Sequence, residues 1–310
     1  MSSRTRAPRP VLVGVDASPQ AASAVDWAVG LAAATGSPLH LVHAESGGSG
    51  APPPRSVDEF LATARSAGVI GTTVEVVTGS PVAALRSRAD AARMLVLGSC
   101  DDGAPPGVRV GGIALALVGR VDCPIAIVRG LARGPAPSRT GSVVVGTDGS
   151  SADRRVVDTA AELAEAVRTD LLIVHAWTDV AITPRGLRRC TGGFETQQQA
   201  ARSRLDDERR RIAAGRPSLP VAGEVVSATA LQALLDRSSD ASIVVVGHGN
   251  GATGMASGST MRSLVEFAPC TVVWVPSGVE VLAGRASGSA APRRGPTDVR
   301  DAAGALPQQG

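Results

Sequence analysis

Two aspartates, Asp16 and Asp148, each follow a short valine-rich run and precede a serine-containing turn. A carboxylate at such a place could accept hydrogen bonds from a sugar hydroxyl or from the amine of a base. The alternative role is structural, because Asp or Ser ahead of a helix satisfies the free N–H groups as an N-cap. Ser18 and Ser150 could also provide that cap, so we interpret both aspartates as candidate ligand residues.

Glycine-rich segments are the second candidate feature. Residues 98–112 read GSCDDGAPPGVRVGG, and residues 247–260 read GHGNGATGMASGST. Glycines allow backbone N–H groups to approach a phosphate, and the N-terminus of a following helix favours an anion. One such loop is weak evidence, because many glycine-rich loops only connect elements. The pattern gains weight here because it occurs twice, each time after an apolar run.

The other reactive residues favour packing over catalysis. His43 and His175 close apolar runs, where a packed or capped histidine is expected, whereas His248 lies in a glycine-rich loop and could donate to a phosphate. Cys123 and Cys270 are expected to be small buried hydrophobic residues. The four cysteines and four histidines show neither a C-x-x-C pair nor metal-ligand spacing, and no Ser–His–Asp constellation can be assembled. We expect no catalytic residues and no metal site, and we expect the tryptophans to pack in cores.

The composition excludes several function classes. All 31 basic residues are arginine and there is no tyrosine, which excludes Schiff-base and P-loop lysines and a phenolic acid. Aromatic residues make up 2% of the chain, too few for a base-stacking platform. Of the net charge of +3, the segments 1–10, 129–142 and 276–310 carry +3, +3 and +1, which leaves −4 for the remainder. The positive charge therefore lies outside the predicted folded parts, and we expect no nucleic-acid partner.

The apolar runs are too short for a membrane helix. None approaches the roughly 18 residues that a span requires, and the arginine- and proline-rich start lacks the apolar region of a signal peptide. We therefore expect a cytoplasmic protein with reduced thiols and no membrane partner.

The chain repeats itself, and the repeat predicts the domain organisation. VLVGVDAS aligns with VVVGTDGS, and LHLVHA with LLIVHA, both at an offset of 132 residues. Farther on, Gly98 aligns with Gly247, and VDCPIAIV aligns with APCTVVWV. The predicted organisation is a disordered N-terminal arm at 1–10, a first repeat at 11–128, a linker at 129–142, a second repeat at 143–275 and a disordered tail at 276–310.

Each repeat alternates apolar runs with helical patterns. Runs rich in Val, Leu and Ile and bounded by Gly are typical of strands buried on both faces. Connections of more than a dozen residues predict parallel strands with helices on both faces, so the fold class is α/β, with two tandem doubly wound five-stranded sheets. A charged helix is predicted at 200–214, which we interpret as a solvated face rather than a binding patch. The strands are predicted at 11–15, 39–43, 73–77, 94–98 and 124–128, and at 143–147, 170–175, 223–227, 242–246 and 271–275.

These features resemble the universal stress protein family, in a tandem form like that of actinobacterial members. The resemblance rests on VLVGVDASPQAASAVDWA in the first repeat, on VVVGTDGSS in the second, and on the block from strand four to strand five in both. It implies a Rossmann-like five-stranded parallel sheet that pairs through its last strand. It also implies ATP binding, which many members achieve with the aspartate after strand one, a residue at the end of strand two and a G-x2-G-x9-G-(S/T) loop.

The resemblance assigns candidate nucleotide-binding residues by position. In the first repeat these are Asp16, Val42, Gly98 and Gly111. In the second repeat they are Asp148, Val174, Gly247, Gly258 and Ser259, and Gly249 is added because it could shape a shorter loop.

Both loops depart from the family pattern. In the first repeat Asp101 occupies the second glycine position and Gly112 replaces the Ser/Thr, and negative charge beside phosphates would oppose a triphosphate. The second repeat keeps Gly258 and Ser259, but only 11 positions separate Gly247 from Gly258, two fewer than in the family pattern. We therefore predict an ATP site in the second repeat, which Mg²⁺ could accompany, and a degenerate first repeat.

The function implied is that of a non-catalytic ATP-binding or regulatory module in the stress response. One alternative is a nucleotide-free interaction and assembly protein in which both sites have decayed. A slow ATPase is the least favoured, because no base or arginine-finger position is identifiable. The expected partners are ATP or another adenine nucleotide and an unidentified protein. The two repeats are expected to pack as a pseudo-dimer, and the chain could also form a homodimer.

Overall fold

The computed structural model describes residues 8–16, 18–45, 56–99, 112–129, 141–177, 180–183, 186–189, 194–247 and 257–276. Most of the predicted N-terminal arm, linker and C-terminal tail lies outside these described residues.

The first repeat alternates strands and helices from its first element to its last. In the described part of this repeat, five strands are separated by four helices. In chain order they are β1 (Val11–Val15), α1 (Pro19–Thr35), β2 (Leu39–Glu45), α2 (Ser56–Ser66), β3 (Thr73–Thr78), α3 (Pro81–Ala89), β4 (Met94–Gly98), α4 (Gly112–Leu117) and β5 (Ile125–Val128).

The second repeat follows the same order with one addition, a short hairpin after its second strand. A 3₁₀ turn, Ser151–Asp153, precedes its first helix. In chain order the elements are β6 (Val143–Thr147), α5 (Arg154–Val167), β7 (Leu171–Trp177), β8 (Val180–Thr183), β9 (Gly186–Arg189), α6 (Phe194–Gly215), β10 (Val221–Ser227), α7 (Ala230–Ser238), β11 (Ile243–Gly247), α8 (Ser257–Phe267) and β12 (Thr271–Val275).

The predicted fold class and all ten predicted strands are confirmed, with ends that agree within two residues. The predicted charged helix is also present, but α6 begins six residues earlier than expected. The β8–β9 hairpin was not predicted. Its two strands have four residues each, too short for a hydrophobic alternation to stand out from the surrounding sequence.

Helix α1 shows how local sequence places an aspartate at the end of a strand. The Ser18 hydroxyl accepts a hydrogen bond from the Ala21 N–H at 3.2 Å and caps the helix, and Pro19 occupies its first turn. The helix ends at Gly36, whose φ of 62° is left-handed and whose N–H bonds the Ala32 carbonyl. The short loop between β1 and α1 therefore holds Asp16 at the carboxyl end of the sheet.

The two repeats share one ten-stranded sheet. The strand order is β10-β7-β6-β11-β12-β5-β4-β1-β2-β3. Every neighbouring pair in it is parallel except β12 and β5, which are antiparallel, with Val273 opposite Ala126. The last strand of each repeat therefore pairs with the last strand of the other repeat in the same chain. This is the pseudo-dimer arrangement expected from the sequence.

Apolar side chains cover both faces of the sheet, and each cluster draws on both repeats. On one face α1 and α5 pack over the strands, with Ala28 and Ala160 fully buried. On the other face α4 and α8 do so, with Leu117 and Leu264 fully buried. Because each core continues across the β5–β12 junction, we expect the repeats to unfold together.

Arg129 ties the end of the first repeat to the second. Its Nε donates to the Ala268 carbonyl at 2.9 Å, and its Nη2 donates to the carbonyls of Val265 and Glu266 at 2.6 and 2.8 Å. Carbonyls at the end of a helix lack intrahelical partners, and a cation there also complements the helix dipole. The guanidinium of Arg129 thus caps the C-terminus of α8 from the other repeat.

We expect Arg129→Ala to lower the free energy of unfolding by about 1–3 kcal/mol, because half-buried carbonyls lose charged donors. Arg129→Lys should recover only part of this loss, since an ammonium cannot copy the forked geometry. Arg93→Ala is the matched control: Arg93 pairs with Glu162 across the same two repeats, but both side chains are largely exposed, so the change should cost less than about 1 kcal/mol. Urea unfolding followed by circular dichroism would measure all three, and equal losses in the two alanine variants would contradict the capping role.

Candidate functional site

The candidate site lies at the place in the second repeat where the connecting helices pass from one face of the sheet to the other. Strand β6 lies between β7 and β11. Helices α5 and α6 pack on one face, and α7 and α8 on the other. Asp148 directly follows β6, and Gly247 ends β11. Both therefore lie at the carboxyl end of the sheet at a topological switch point, where open α/β sheets bind ligands.

The first repeat has the same geometry at β1 and β4, with Asp16 and Gly98 at the corresponding ends. The Asp16 carboxylate is already engaged: its Oδ1 accepts from the Ser18 N–H at 2.9 Å and from the Ser18 hydroxyl. Ser18, not Asp16, is the helix N-cap. Asp16 therefore supports the cap rather than providing it.

The loop after β6 is held by a second carboxylate, Asp153. Its Oδ2 accepts from the Asp148 N–H at 2.6 Å and from the Thr147 hydroxyl at 3.0 Å. Asp148 in turn accepts at Oδ1 from the Ser150 N–H at 2.7 Å. Asp148 is exposed while Asp153 is only 7% exposed. The buried carboxylate thus orients the backbone that presents the exposed one.

The environment separates the pKa values of these two carboxyls. Burial raises the pKa of Asp153 to about 6, and the neighbouring charge of Asp148 adds to that effect. Burial also acts to raise the pKa of Asp148, but hydrogen bonds from the Ser150 hydroxyl and N–H outweigh it, and the net shift is downward. Asp148 is therefore ionised throughout the neutral range and can accept hydrogen bonds from a ligand.

The strand-two histidines close the turn after strand one. Nδ1 of His43 lies 2.9 Å from the Val15 carbonyl, and His175 makes the corresponding bond to the Thr147 backbone. Burial lowers the pKa of His175, and the positive charge of Arg204 contributes to that decrease. The expected role of these histidines as packed, hydrogen-bonded residues is confirmed.

The two valines assigned to the site lie inside their strands. Val42 and Val174 are 2% and 1% exposed, and each strand continues for three more residues, to Glu45 and Trp177. Their side chains belong to the core, so only the strand end beyond them could face a ligand. Their assignment as nucleotide-binding residues stays a prediction.

Gly98 and Gly247 allow a helix to approach the end of a strand. A Cβ at Gly98 would lie 2.7 Å from the backbone carbonyl group of Gln20, and a Cβ at Gly247 would lie 2.5 Å from Val156 Cγ2. Glycine at these places is thus explained by close packing of α1 and α5. A phosphate-binding role for their N–H groups is compatible with that packing and stays a prediction.

The remaining assigned residues belong to the two glycine-rich segments of the sequence. Gly258 and Ser259 are in the first turn of α8, where backbone N–H groups lack intrahelical acceptors. Gly111 and Gly249 lie outside the described residues, as does His248. The structure thus brings Asp148 and Gly247 to adjacent strand ends.

Two residues that the sequence analysis did not single out lie at this site. Asp153 aligns with the apolar Ala21 at the offset of 132 residues, and a polar residue replacing an apolar one could have signalled it. Arg204 lies against the same loop: a Cβ at Gly149 would be 3.3 Å from Arg204 Cδ and 3.6 Å from His175 Cε1. Gly149 has a φ of 76°, a conformation that favours glycine. No pattern in the charged helix distinguishes Arg204 from its neighbours.

A cavity of about 440 Å³ lies elsewhere, between α6 and the edge strand β10. Its lining residues include Ser203, Asp206, Arg209 and Arg210. Arg209 pairs with Asp206 at 3.2 Å, and Arg210 pairs with Asp207. Because these charges neutralise one another, the cavity offers little to an ionic ligand.

Within the described residues, no group of three or more His, Cys, Asp or Glu is placed to hold a metal ion. Cys123 and Cys270 are buried free thiols, and burial raises the pKa of each to about 11, so both are unreactive near neutral pH.

No helix in the described part of the chain has the length and apolar character needed to cross a membrane.

Comparison with known proteins identifies the same family in both repeats. The model of the Universal stress protein family matches residues 8–129 and again residues 140–276. The two matches together cover most of the chain, and each contains a complete set of the five sheet strands described above.

The sequences of similar proteins align with most of this chain and with nearly all of their own length. A universal stress protein of Mycobacterium tuberculosis H37Rv is 29% identical over 294 residues, covering 87% of this chain and 98% of that protein. A second one from the same organism is 28% identical over 285 residues, covering 85% and 95%. The crystal structure of a universal stress protein from Archaeoglobus fulgidus covers 87% of this chain and 99% of its own, with a TM-score of 0.63 and 16% identity. At that identity the likeness supports the fold alone.

Proposed function

Because the chain belongs to the universal stress protein family, we propose that its second repeat binds ATP. In this proposal the nucleotide regulates how the protein engages a protein partner during stress, and the protein does not turn the nucleotide over. The first repeat serves as the structural half of the pair.

The observation that carries the proposal is the placement of Asp148 and Gly247 at the ends of neighbouring strands, at the switch point of the sheet. Asp148 is exposed, and hydrogen bonds keep its pKa low. An ionised carboxylate at that place can accept from two ribose hydroxyls. Glycine at the end of β11 and the free N–H groups in the first turn of α8 are suited to phosphate oxygens.

The first repeat is less suited to a nucleotide. Asp16 and Asp148 each accept from the N–H and the hydroxyl of the serine two residues further on, so the difference between the repeats lies in the segment after Gly98. The sequence after Gly98 contains Asp101 and Asp102 and no basic residue before Arg109. Acidic side chains beside a triphosphate would repel it.

Mg²⁺ would enter this site together with the triphosphate. Asp148 is the carboxylate that could contact it or its water ligands, since Mg²⁺ prefers oxygen ligands and is often held by one or two carboxylates plus phosphates. The ion would neutralise part of the phosphate charge beside Asp148 and Asp153. The proposed binding role does not require hydrolysis.

We expect isothermal titration with Mg²⁺ and ATP to show one site per chain. Asp148→Asn should weaken ATP binding by about tenfold or more, because it removes a charged acceptor while keeping the side-chain shape. Asp16→Asn is the matched control at the equivalent place in the first repeat, and it should leave affinity and stoichiometry unchanged. Gly258→Arg, which places a large side chain in the first turn of α8, should also abolish binding.

Lack of binding by the wild-type protein at millimolar ATP would refute the proposal and favour the nucleotide-free assembly protein. Two sites per chain would show that the first repeat binds ATP as well. Loss of binding on Asp16→Asn instead of Asp148→Asn would place the nucleotide in the first repeat, and either result would contradict the proposal. Steady release of phosphate that Asp148→Asn abolishes would show a slow ATPase instead of a non-catalytic module.

A further inference from the structure

We propose that Arg204 binds a phosphate group of the nucleotide in the second repeat and makes affinity increase with the number of phosphates. The inference rests on the proposed function, because it concerns a residue at that same site. Four observations on the described residues support it.

The first observation is position. The aliphatic part of the Arg204 side chain packs over Gly149, next to His175. Gly149 follows Asp148 directly, so helix α6 brings a guanidinium to the carboxyl ends of β6 and β7. This is the edge of the sheet where the proposed nucleotide lies.

The second observation is the charge balance at this edge. Asp148 is ionised, and Asp153, with a pKa of about 6, is mostly ionised near neutral pH. His175 is neutral there, because burial lowers its pKa. Two carboxylates would repel a polyphosphate, and Arg204 is the cation whose charge already acts on His175 at this place.

The third observation is that Arg204 is available. The arginines that follow it on α6 are paired with acidic residues: Arg209 with Asp206, Arg210 with Asp207, and Arg211 with Glu208 and Asp158. Arg204 is exposed. Within the described part of the chain it takes part in no hydrogen bond or ion pair.

The fourth observation is that the chain contains no lysine. A fixed positive charge for a phosphate must therefore come from arginine. The planar guanidinium also matches two phosphate oxygens at once.

The experiment titrates ATP, ADP, AMP and adenosine into the wild-type protein and into Arg204→Gln. We expect Arg204→Gln to weaken ATP binding about tenfold and to leave adenosine affinity within about twofold, with intermediate losses for AMP and ADP. Arg204→Lys should recover part of the ATP affinity, since it restores the charge without the fork.

Arg202→Gln is the matched control. Arg202 lies on the same helix, is also exposed and forms no ion pair within the described residues, but two residues along a helix place it on a different face. It should bind all four ligands like the wild type. Both variants should keep the thermal midpoint of the wild type, because the substituted side chains are exposed.

The outcomes separate this inference from the proposed function. Wild-type ATP binding that Arg204→Gln leaves unchanged would overturn the inference alone. Equal losses for ATP and adenosine would also overturn it, because they would place the guanidinium on the base or ribose. An equal loss of ATP affinity in Arg202→Gln would indicate that the overall positive charge of the helix matters and not a direct contact of Arg204, and it would also overturn the inference. If the wild type binds none of the four ligands, the proposed function and this inference both fall.

Discussion

Replacing Trp274 with alanine is expected to lower the free energy of unfolding by about 3–5 kcal/mol, which is typical of large aromatic residues in a core. Trp274 is 2% exposed. It lies on β12 opposite Val246 of its own repeat and opposite Ile125 of the other. The cavity left by its removal would therefore open at the junction of the two repeats.

Trp27→Ala is the matched control for this prediction. Trp27 is only partly buried and packs against the opposite face from α1, so its removal should cost clearly less. Urea unfolding of both variants, followed by circular dichroism, gives the comparison. An equal decrease in the free energy of unfolding for the two variants would contradict the larger contribution assigned to Trp274 at the junction.

The junction also predicts the form of the transition. Because both apolar clusters cross β5 and β12, Trp274→Ala should shift a single cooperative transition to lower urea and should not split it in two. A variant that unfolds in two separate steps would show that the repeats are stable independently of each other.

The second large effect concerns pH and Asp153. The pKa of this carboxyl is about 6 in the folded protein and about 3.9 in an unfolded chain. Between these two values the folded state binds a proton that the unfolded state does not. The contribution of this group to stability therefore decreases as the pH rises from about 4 to 6, by roughly 3 kcal/mol in total.

Asp153→Asn removes this titration and retains an oxygen that can accept from Asp148 N–H and the Thr147 hydroxyl. We expect the variant to unfold at the same urea concentration as the wild type near pH 4 and at a higher one at pH 7. The measurement is the difference between the two proteins at each pH, so that the titration of other groups cancels.

Asp170→Asn, which changes an exposed carboxylate of the same repeat, controls for the loss of a negative charge. The assignment to Asp153 would be wrong if the Asp153→Asn difference were constant between pH 4 and 7, or if Asp170→Asn reproduced its change.

Duplication accounts for how much of the fold could be predicted from the sequence. A strand or helix is signalled by the period of its apolar residues, which is a local property, and each signal occurs twice. The ion pairs of β3 with α3 and of β10 with α7 show the same repetition. Arg88 pairs with Glu75 and Arg237 pairs with Glu224, each over 13 residues.

The candidate site was only partly predictable. Asp148 and Gly247 stand out because strand ends and glycines are visible in the sequence. Asp153 and Arg204 do not, because their importance comes from what lies next to them. Asp153 folds back onto the backbone of Asp148, and Arg204 reaches Gly149 from a helix that follows the next strand and the hairpin.

By itself, the sequence determined the α/β class, the two repeats, the positions of the ten sheet strands and the aspartate that ends the first strand of each repeat. These depend on composition and on periods of a few residues. Pairing through the last strand was implied by the family resemblance, but only the tertiary structure decided that β5 and β12 pair antiparallel with Val273 opposite Ala126. It alone also decided that Asp153 is buried under the loop of Asp148 and that Arg204 lies beside that loop. The strand pairing and the position of Arg204 depend on contacts between residues far apart along the chain. The hydrogen-bond partners of Asp153 are only five and six residues away, but its burial is reached only when the sheet and its helices pack together.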